Sequence, residues 1–139
     1  MKRIAYRGGY KYQLAEDYIH YIKIYRYSVD LPFLVLRANG MLRIKAGYAW
    51  DGPSGPTLDT ADAMRGSLVH DAMYQLMREG KLPITYRINA DDLLYSICRE
   101  DGMGVLRAWL WYRAVRLFAS PSAARSKAPC DVSLTASTL

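Results

Sequence analysis

The chain has 139 residues, 51% of them hydrophobic and 23% charged, which suffices for one core and excludes both two ordinary domains and a disordered chain. Two cysteines, Cys98 and Cys130, exclude a disulfide framework and a CxxC metal site. The net charge of +6 is unevenly spread, with nine Lys/Arg against three Asp/Glu in residues 1–50 and eight against nine in residues 51–119, which predicts a basic surface for an anionic partner and a separate acidic site.

The first residues, Met1 to Gly9, are charged and lack the apolar stretch of a signal peptide. No run reaches the roughly 18 apolar residues of a membrane span. The expected setting is a cytoplasm, or a particle packaged from one. Strands are predicted at Tyr10–Leu14 and Tyr18–Tyr25, where aromatic and β-branched residues cluster, with Glu16-Asp17 between them. Two more flank Asn39-Gly40, at Phe33–Arg37 and Met41–Lys45. That dipeptide predicts a type I′ hairpin turn, in which both central residues take positive φ. Arg43 and Lys45 alternate with Leu42 and Ile44, giving one basic and one apolar face. Together these read as an antiparallel meander of four or five strands.

Pro53, Gly55 and Pro56 then break regular structure, and the period changes. Asp59-Thr60 can cap a helix over Ala61–Arg78 that Gly80 and Pro83 end. A second helix fits Asn89–Asp101, stopped by Gly102, and a third fits Val105–Ala119. From Ser120 the composition turns to Ser, Ala, Thr and Pro, predicting a mobile tail over 120–139. The expected architecture is α+β: one domain over 8–119, with the meander followed by three packed helices.

The stretch Gly47 to Thr60 holds three glycines and two prolines beside Asp51 and Asp59. Glycine lets backbone groups converge on one point and proline fixes the path. Such a loop can offer carbonyl oxygens to a hard cation such as calcium, or amides to an anion. In the helix that follows, His70 and Tyr74 are four apart and share a face, with Ser67 on the same stripe. Asp71 is turned about 100° from His70. An imidazole suited to moving protons needs a carboxylate on its other nitrogen, and the second helix offers Asp91 or Asp92. Arg87, four before Asp91, could pair with Asp91 instead. Trp50, Ser54, Ser67 and Asp92 are candidates for contact with a substrate. The bland alternative is a buried polar network in which His70 bonds a carboxylate, Asp71 pairs with Arg78 or Lys81, and Tyr74 packs.

The runs Gly-Tyr-Ala-Trp-Asp-Gly-Pro-Ser-Gly-Pro-Thr from Gly47, Arg-Gly-Ser-Leu-Val-His-Asp-Ala-Met-Tyr-Gln-Leu-Met-Arg from Arg65 and Arg-Ile-Asn-Ala-Asp-Asp from Arg87 closely resemble the family known as domain of unknown function 1353. Tyr10–Leu14, with Lys11, Tyr12 and Gln13, and the closing Trp109–Arg116 fit it as well, so the resemblance covers residues 8–119. It implies a phage or prophage origin and names no activity.

A second pattern is similar to that of secreted phospholipases of the A2 type, which combine a glycine-rich calcium loop with a helix bearing His-Asp-x-x-Tyr and an aspartate from an antiparallel helix. Gly55-Pro56, Asp59, Asp62, His70-Asp71-x-x-Tyr74 and Ala90-Asp91 follow in that order. The resemblance implies calcium held by Asp71 with Asp51 and the backbone of Gly52 and Gly55. It makes His70 the base that activates water, and Asp91 and Tyr74 its holders. The chain departs from that pattern in its two cysteines, its longer proline-to-histidine spacing and its basic sheet.

Two functions follow as expectations. One is a metal-assisted hydrolase of an ester in a lipid or cell envelope, meeting an anionic membrane through Trp109, Trp111, Arg107, Arg113 and Arg116. The other is a non-enzymatic phage component that contacts virion or host proteins. Tyr25, Tyr27, Lys23 and Arg26 could stack on single strands, but no nucleic-acid-binding signature accompanies them. A zinc site would require the fold to bring His20 to His70.

Overall fold

The computed structural model describes residues 4–7, 12–52 and 60–118. Among the described residues, seven short strands form two antiparallel sheets, and three helices follow. The architecture is α+β, as the change of period predicts. The first sheet has the order β1-β2-β7, from Tyr6–Arg7, Tyr12–Leu14 and Ala49–Trp50. The second has the order β3-β6-β5-β4, from Tyr18–Tyr21, Met41–Ile44, Leu34–Leu36 and Val29–Asp30. The pairing is thus no simple meander. Strands β4, β5 and β6 run consecutively, but β3 pairs across to β6, with Tyr18 opposite Ile44, and β7 returns to β2.

The predicted strand Tyr18–Tyr25 stops at Tyr21 because the chain bends. Lys23 and Arg26 take φ of 59° and 72°, left-handed values that no regular strand contains. The bent segment crosses the β5–β6 hairpin, where Ile22 N–H donates to Gly40 O and Arg26 N–H to Ala38 O, each at 2.9 Å. The hairpin turn also differs from the predicted type. Gly40 has φ of 88°, while Asn39 does not take positive φ. Gly40 N–H bonds Arg37 O, and Arg37 N–H bonds Met41 O. This is a β-turn with Gly40 as a left-handed bulge, a longer alternative to the two-residue loop. The Asn39 side chain accepts from Met41 N–H at 3.1 Å.

On β6, Leu42 and Ile44 are buried and Arg43 is exposed, so the alternation places the basic face outward. The apolar face meets α1, Ala61–Arg78, through Leu34, Leu36, Leu42 and Ile44 against Leu68, Val69, Met73 and Leu76. Most of α1 is buried, on more than one side, as expected of a helix sandwiched between layers. A second apolar cluster joins its first turns to α2, Arg87–Glu100, and α3, Val105–Phe118, through Ala63, Leu94, Cys98, Met103, Ala108 and Trp111.

A 3₁₀ turn over Ile84–Tyr86 leads into α2, which therefore begins two residues before the predicted Asn89. Helices α1 and α2 end alike. Lys81 N–H bonds Leu76 O with Gly80 at φ 74°, and Met103 N–H bonds Cys98 O with Gly102 at φ 103°. In both, a left-handed glycine satisfies the last carbonyls. The predicted tail over 120–139 lies outside the described residues, as does most of the Pro-Gly loop, 53–59.

Candidate functional site

Residue pairs run in opposite directions along α1 and α2: Arg65 meets Asp101, Gly66 meets Cys98, and His70 meets Asp91. Close approach is possible because Gly66 has no side chain. A Cβ there would lie 2.7 Å from Cys98 Sγ and 3.3 Å from Leu94 O. The helix pair therefore brings the His70 ring directly onto a carboxylate of α2.

That carboxylate is Asp91, which has no solvent exposure. His70 Nε2 lies 2.7 Å from Asp91 Oδ1, and the Tyr74 hydroxyl donates to the same oxygen at 2.6 Å. Arg116 Nη1, from α3, donates to Oδ2 at 2.9 Å, and Arg87 Nη1 lies 3.7 Å from it. Burial pushes the Asp91 carboxyl up, but His70, Tyr74 and Arg116 outweigh it and hold the pKa below the ordinary value. Asp91 is therefore ionised and accepts only, so Nε2 of His70 must carry a proton. In the neutral ring, Nδ1 is then a bare lone pair.

Nδ1 faces Asp71, whose Oδ1 lies 3.9 Å away, too far for a direct hydrogen bond. Asp71 is partly exposed, whereas the His70 side chain is almost covered. Burial lowers the His70 pKa, and the Asp71 and Asp91 carboxylates more than reverse this, so it stands above the usual value. The Tyr74 ring lies against the imidazole with centroids 4.1 Å apart, and burial and Asp91 raise its phenol. The buried Tyr48 hydroxyl is pushed up by burial and then by the Asp71 carboxylate, with Glu79 and Asp51 adding to it. Asp51 and Asp71 thus act on one phenol.

The structure places the described members of the predicted substrate-contact set in different settings. Trp50 and Ser67 are both buried. The Trp50 indole N–H donates to Ser67 Oγ at 3.0 Å, and Ser67 donates to Met64 O at 2.9 Å. Both side chains are used in fastening β7 to α1. Asp92 is exposed and lies with Tyr95, Ser96, Trp109 and Tyr112, in a groove apart from His70. Gly52 is buried with φ of 82°, and a Cβ there would come within 2.5 Å of the Tyr12 ring; its role is to let that ring seal the start of the loop. Ser54 and Gly55 lie outside the described residues.

Asp71 and Asp51 supply hard oxygen donors of the kind calcium takes. Among the described residues no three His, Cys, Asp or Glu side chains gather as a metal site, so the backbone of the loop would have to complete one. His20 bonds Tyr18 through Nδ1 at 3.0 Å on the second sheet and forms no metal cluster with His70.

Local spacing did not reveal Arg116. Arg107, Arg113 and Arg116 are expected on a surface that meets an anionic membrane, yet Arg116 is turned inward on Asp91, and Arg107 pairs with Asp62 at 3.2 Å. The available signal was Asp91 itself, which sits beside Ala90 and Leu94 in a buried helix face and needs a cation there. Of the two tryptophans expected to meet a membrane, Trp111 is buried and Trp109 is exposed.

A family model described as protein of unknown function (DUF1353) matches residues 27–115, well over half of the chain. The chain belongs to this family. The DUF1353 match spans β4 to most of α3 and includes His70, Asp71, Tyr74, Arg87 and Asp91, ending one residue before Arg116. No curated protein and no solved structure matches the chain. In this DUF1353 member, no helix among the described residues is long and apolar enough to cross a membrane.

Proposed function

We propose that this protein is a phage- or prophage-encoded hydrolase of an ester in a lipid or cell-envelope substrate, with His70 as its general base. The observation that carries the reading is the pairing of one ring nitrogen of His70 with buried Asp91. Asp91 occupies Nε2 at 2.7 Å and leaves the lone pair of Nδ1 turned toward Asp71. A water between Nδ1 and Asp71 could lose a proton to His70 as its oxygen adds to the ester carbonyl; when the adduct collapses and the ester C–O bond breaks, the imidazolium returns that proton to the departing alcohol. The imidazolium formed is stabilised by Asp91, which Tyr74 and Arg116 keep oriented and ionised. Asp71, Asp51 and the backbone of Gly52 and Gly55 would hold calcium. A hard cation there supplies Lewis-acid polarisation of the carbonyl.

The burial of His70 and Asp91 favours a second reading, in which the cluster only fastens α1, α2 and α3 in a non-enzymatic phage component. One variant separates them. His70→Gln keeps an amide donor for Asp91 but has no basic lone pair of comparable strength. On an ester panel with calcium present, the first reading expects a loss of about 100-fold or more with thermal stability largely kept. If wild type hydrolyses nothing on the panel and His70→Gln changes only stability, the enzyme reading is abandoned for the second.

A further inference from the structure

A groove of about 390 Å³ lies between α2 and α3 and is lined by Asp92, Tyr95, Ser96, Trp109 and Tyr112. Three of these five side chains are aromatic. The Tyr95 and Tyr112 rings meet edge to face with centroids 6.2 Å apart, forming a corner rather than a flat stack. Trp109, one α3 turn before Tyr112, is 49% exposed. Among the described residues the only acid lining the groove is Asp92, which is exposed; burial and then the Asp92 carboxylate raise the Tyr112 phenol. One carboxylate can accept several donors, so this leaves capacity for a further cation.

Aromatic faces present negative charge to a cation, and they do so best when the cation is weakly hydrated and the site is half-dry. Trp109 already demonstrates this, since the Arg113 guanidinium stands 5.7 Å from its ring centroid. An anion would meet the Asp92 carboxylate and the π-faces, and a neutral apolar group would leave that carboxylate unanswered. We infer that the Asp92–Tyr95–Trp109–Tyr112 groove binds an organic ammonium group, of the size and character of the trimethylammonium of choline. The group could be free or carried on a lipid headgroup, and in the second case Arg113 stands beside the groove for a linked phosphate. The inference does not depend on the hydrolase reading.

The experiment uses the full chain and follows tryptophan fluorescence and calorimetric heat. Choline is titrated against its neutral isostere, 3,3-dimethylbutan-1-ol. The expected result is saturable choline binding with the isostere weaker by about ten-fold. Asp92→Asn and Trp109→Ala should each weaken choline about five-fold or more, with wild-type circular dichroism. Phosphatidylcholine and phosphatidylglycerol vesicles then locate the source. Retention on phosphatidylcholine that Asp92→Asn abolishes assigns a lipid-borne ammonium, and choline binding without vesicle retention assigns a free one. Equal affinity for choline and the isostere, no saturable choline binding, or retention on phosphatidylglycerol alone would each overturn the inference. If Trp109→Ala fails to fold, the isostere comparison on wild type still decides.

Discussion

Asp91 Oδ1 accepts from His70 and Tyr74 of α1, and Oδ2 accepts from Arg116 of α3. Every neighbour is a donor, so the position demands acceptor-only chemistry on both oxygens. Asparagine cannot supply it. Whichever way its amide turns, an NH₂ is pressed against donors, either His70 and Tyr74 or the Arg116 guanidinium. Arg116 also loses its counter-charge in a partly buried setting. Asp91→Asn is therefore expected to cost about 3–5 kcal/mol in urea unfolding at neutral pH. The pH dependence has a definite sign. The folded carboxyl lies below its ordinary 3.8, so its contribution is complete above that pH and fades as pH falls through the lower folded value. The gap between wild type and variant should narrow correspondingly in acid. A neutral-pH loss below about 1 kcal/mol would show that Asp91 is not the point on which the helices depend.

At the scale of elements, α1 and α2 are held at a distance set by Gly66. Alanine there gains about 1 kcal/mol of helix propensity, but its Cβ would lie 2.7 Å from Cys98 Sγ and 3.2 Å from Leu94 Cδ1. The Leu94 carbonyl at 3.3 Å is backbone and cannot swing away. Overpacking should win, with Gly66→Ala destabilising by about 1–3 kcal/mol. Adding Cys98→Ala removes the nearest atom and should recover part of that loss in a denaturation series; a stabilising single variant would mean that the helices have room to spare. The helices were legible because their stops are local. Gly80, Pro83 and Gly102 announce the ends of α1 and α2, and the four-residue spacing puts His70 and Tyr74 on one face, whereas the choice between Asp91 and Asp92 depends on how α2 packs on α1. The sheets were less so. Strands β1, β4 and β7 have two residues each, too few to show alternation, and the pairing of β3 with β6 joins residues far apart in sequence. The inward turn of Arg116 was hidden for the same reason, since its partner lies on another helix.

Across the whole molecule, one buried cation joins the second sheet to the helices. Arg65 is 2% exposed. Its Nη1 donates to the Tyr18 hydroxyl of β3 at 2.8 Å, and its Nε and Nη2 reach both oxygens of Asp101 just past the end of α2. Glu100 is paired with it as well. The Asp101 side chain is itself only 3% exposed, so removing Arg65 strands a buried carboxylate rather than merely deleting a contact. Arg65→Met is expected to lose about 3–5 kcal/mol. Arg65→Met with Asp101→Leu replaces the pair by apolar groups and should recover more than half of this, because the attraction within a buried pair is largely offset by the cost of drying both charges. If the network couples the layers, near-ultraviolet and far-ultraviolet transitions will still coincide in the double variant and separate in Arg65→Met. Coincident transitions in Arg65→Met, with a loss under about 1 kcal/mol, would place the coupling of sheet and helices in the apolar contacts of α1 instead.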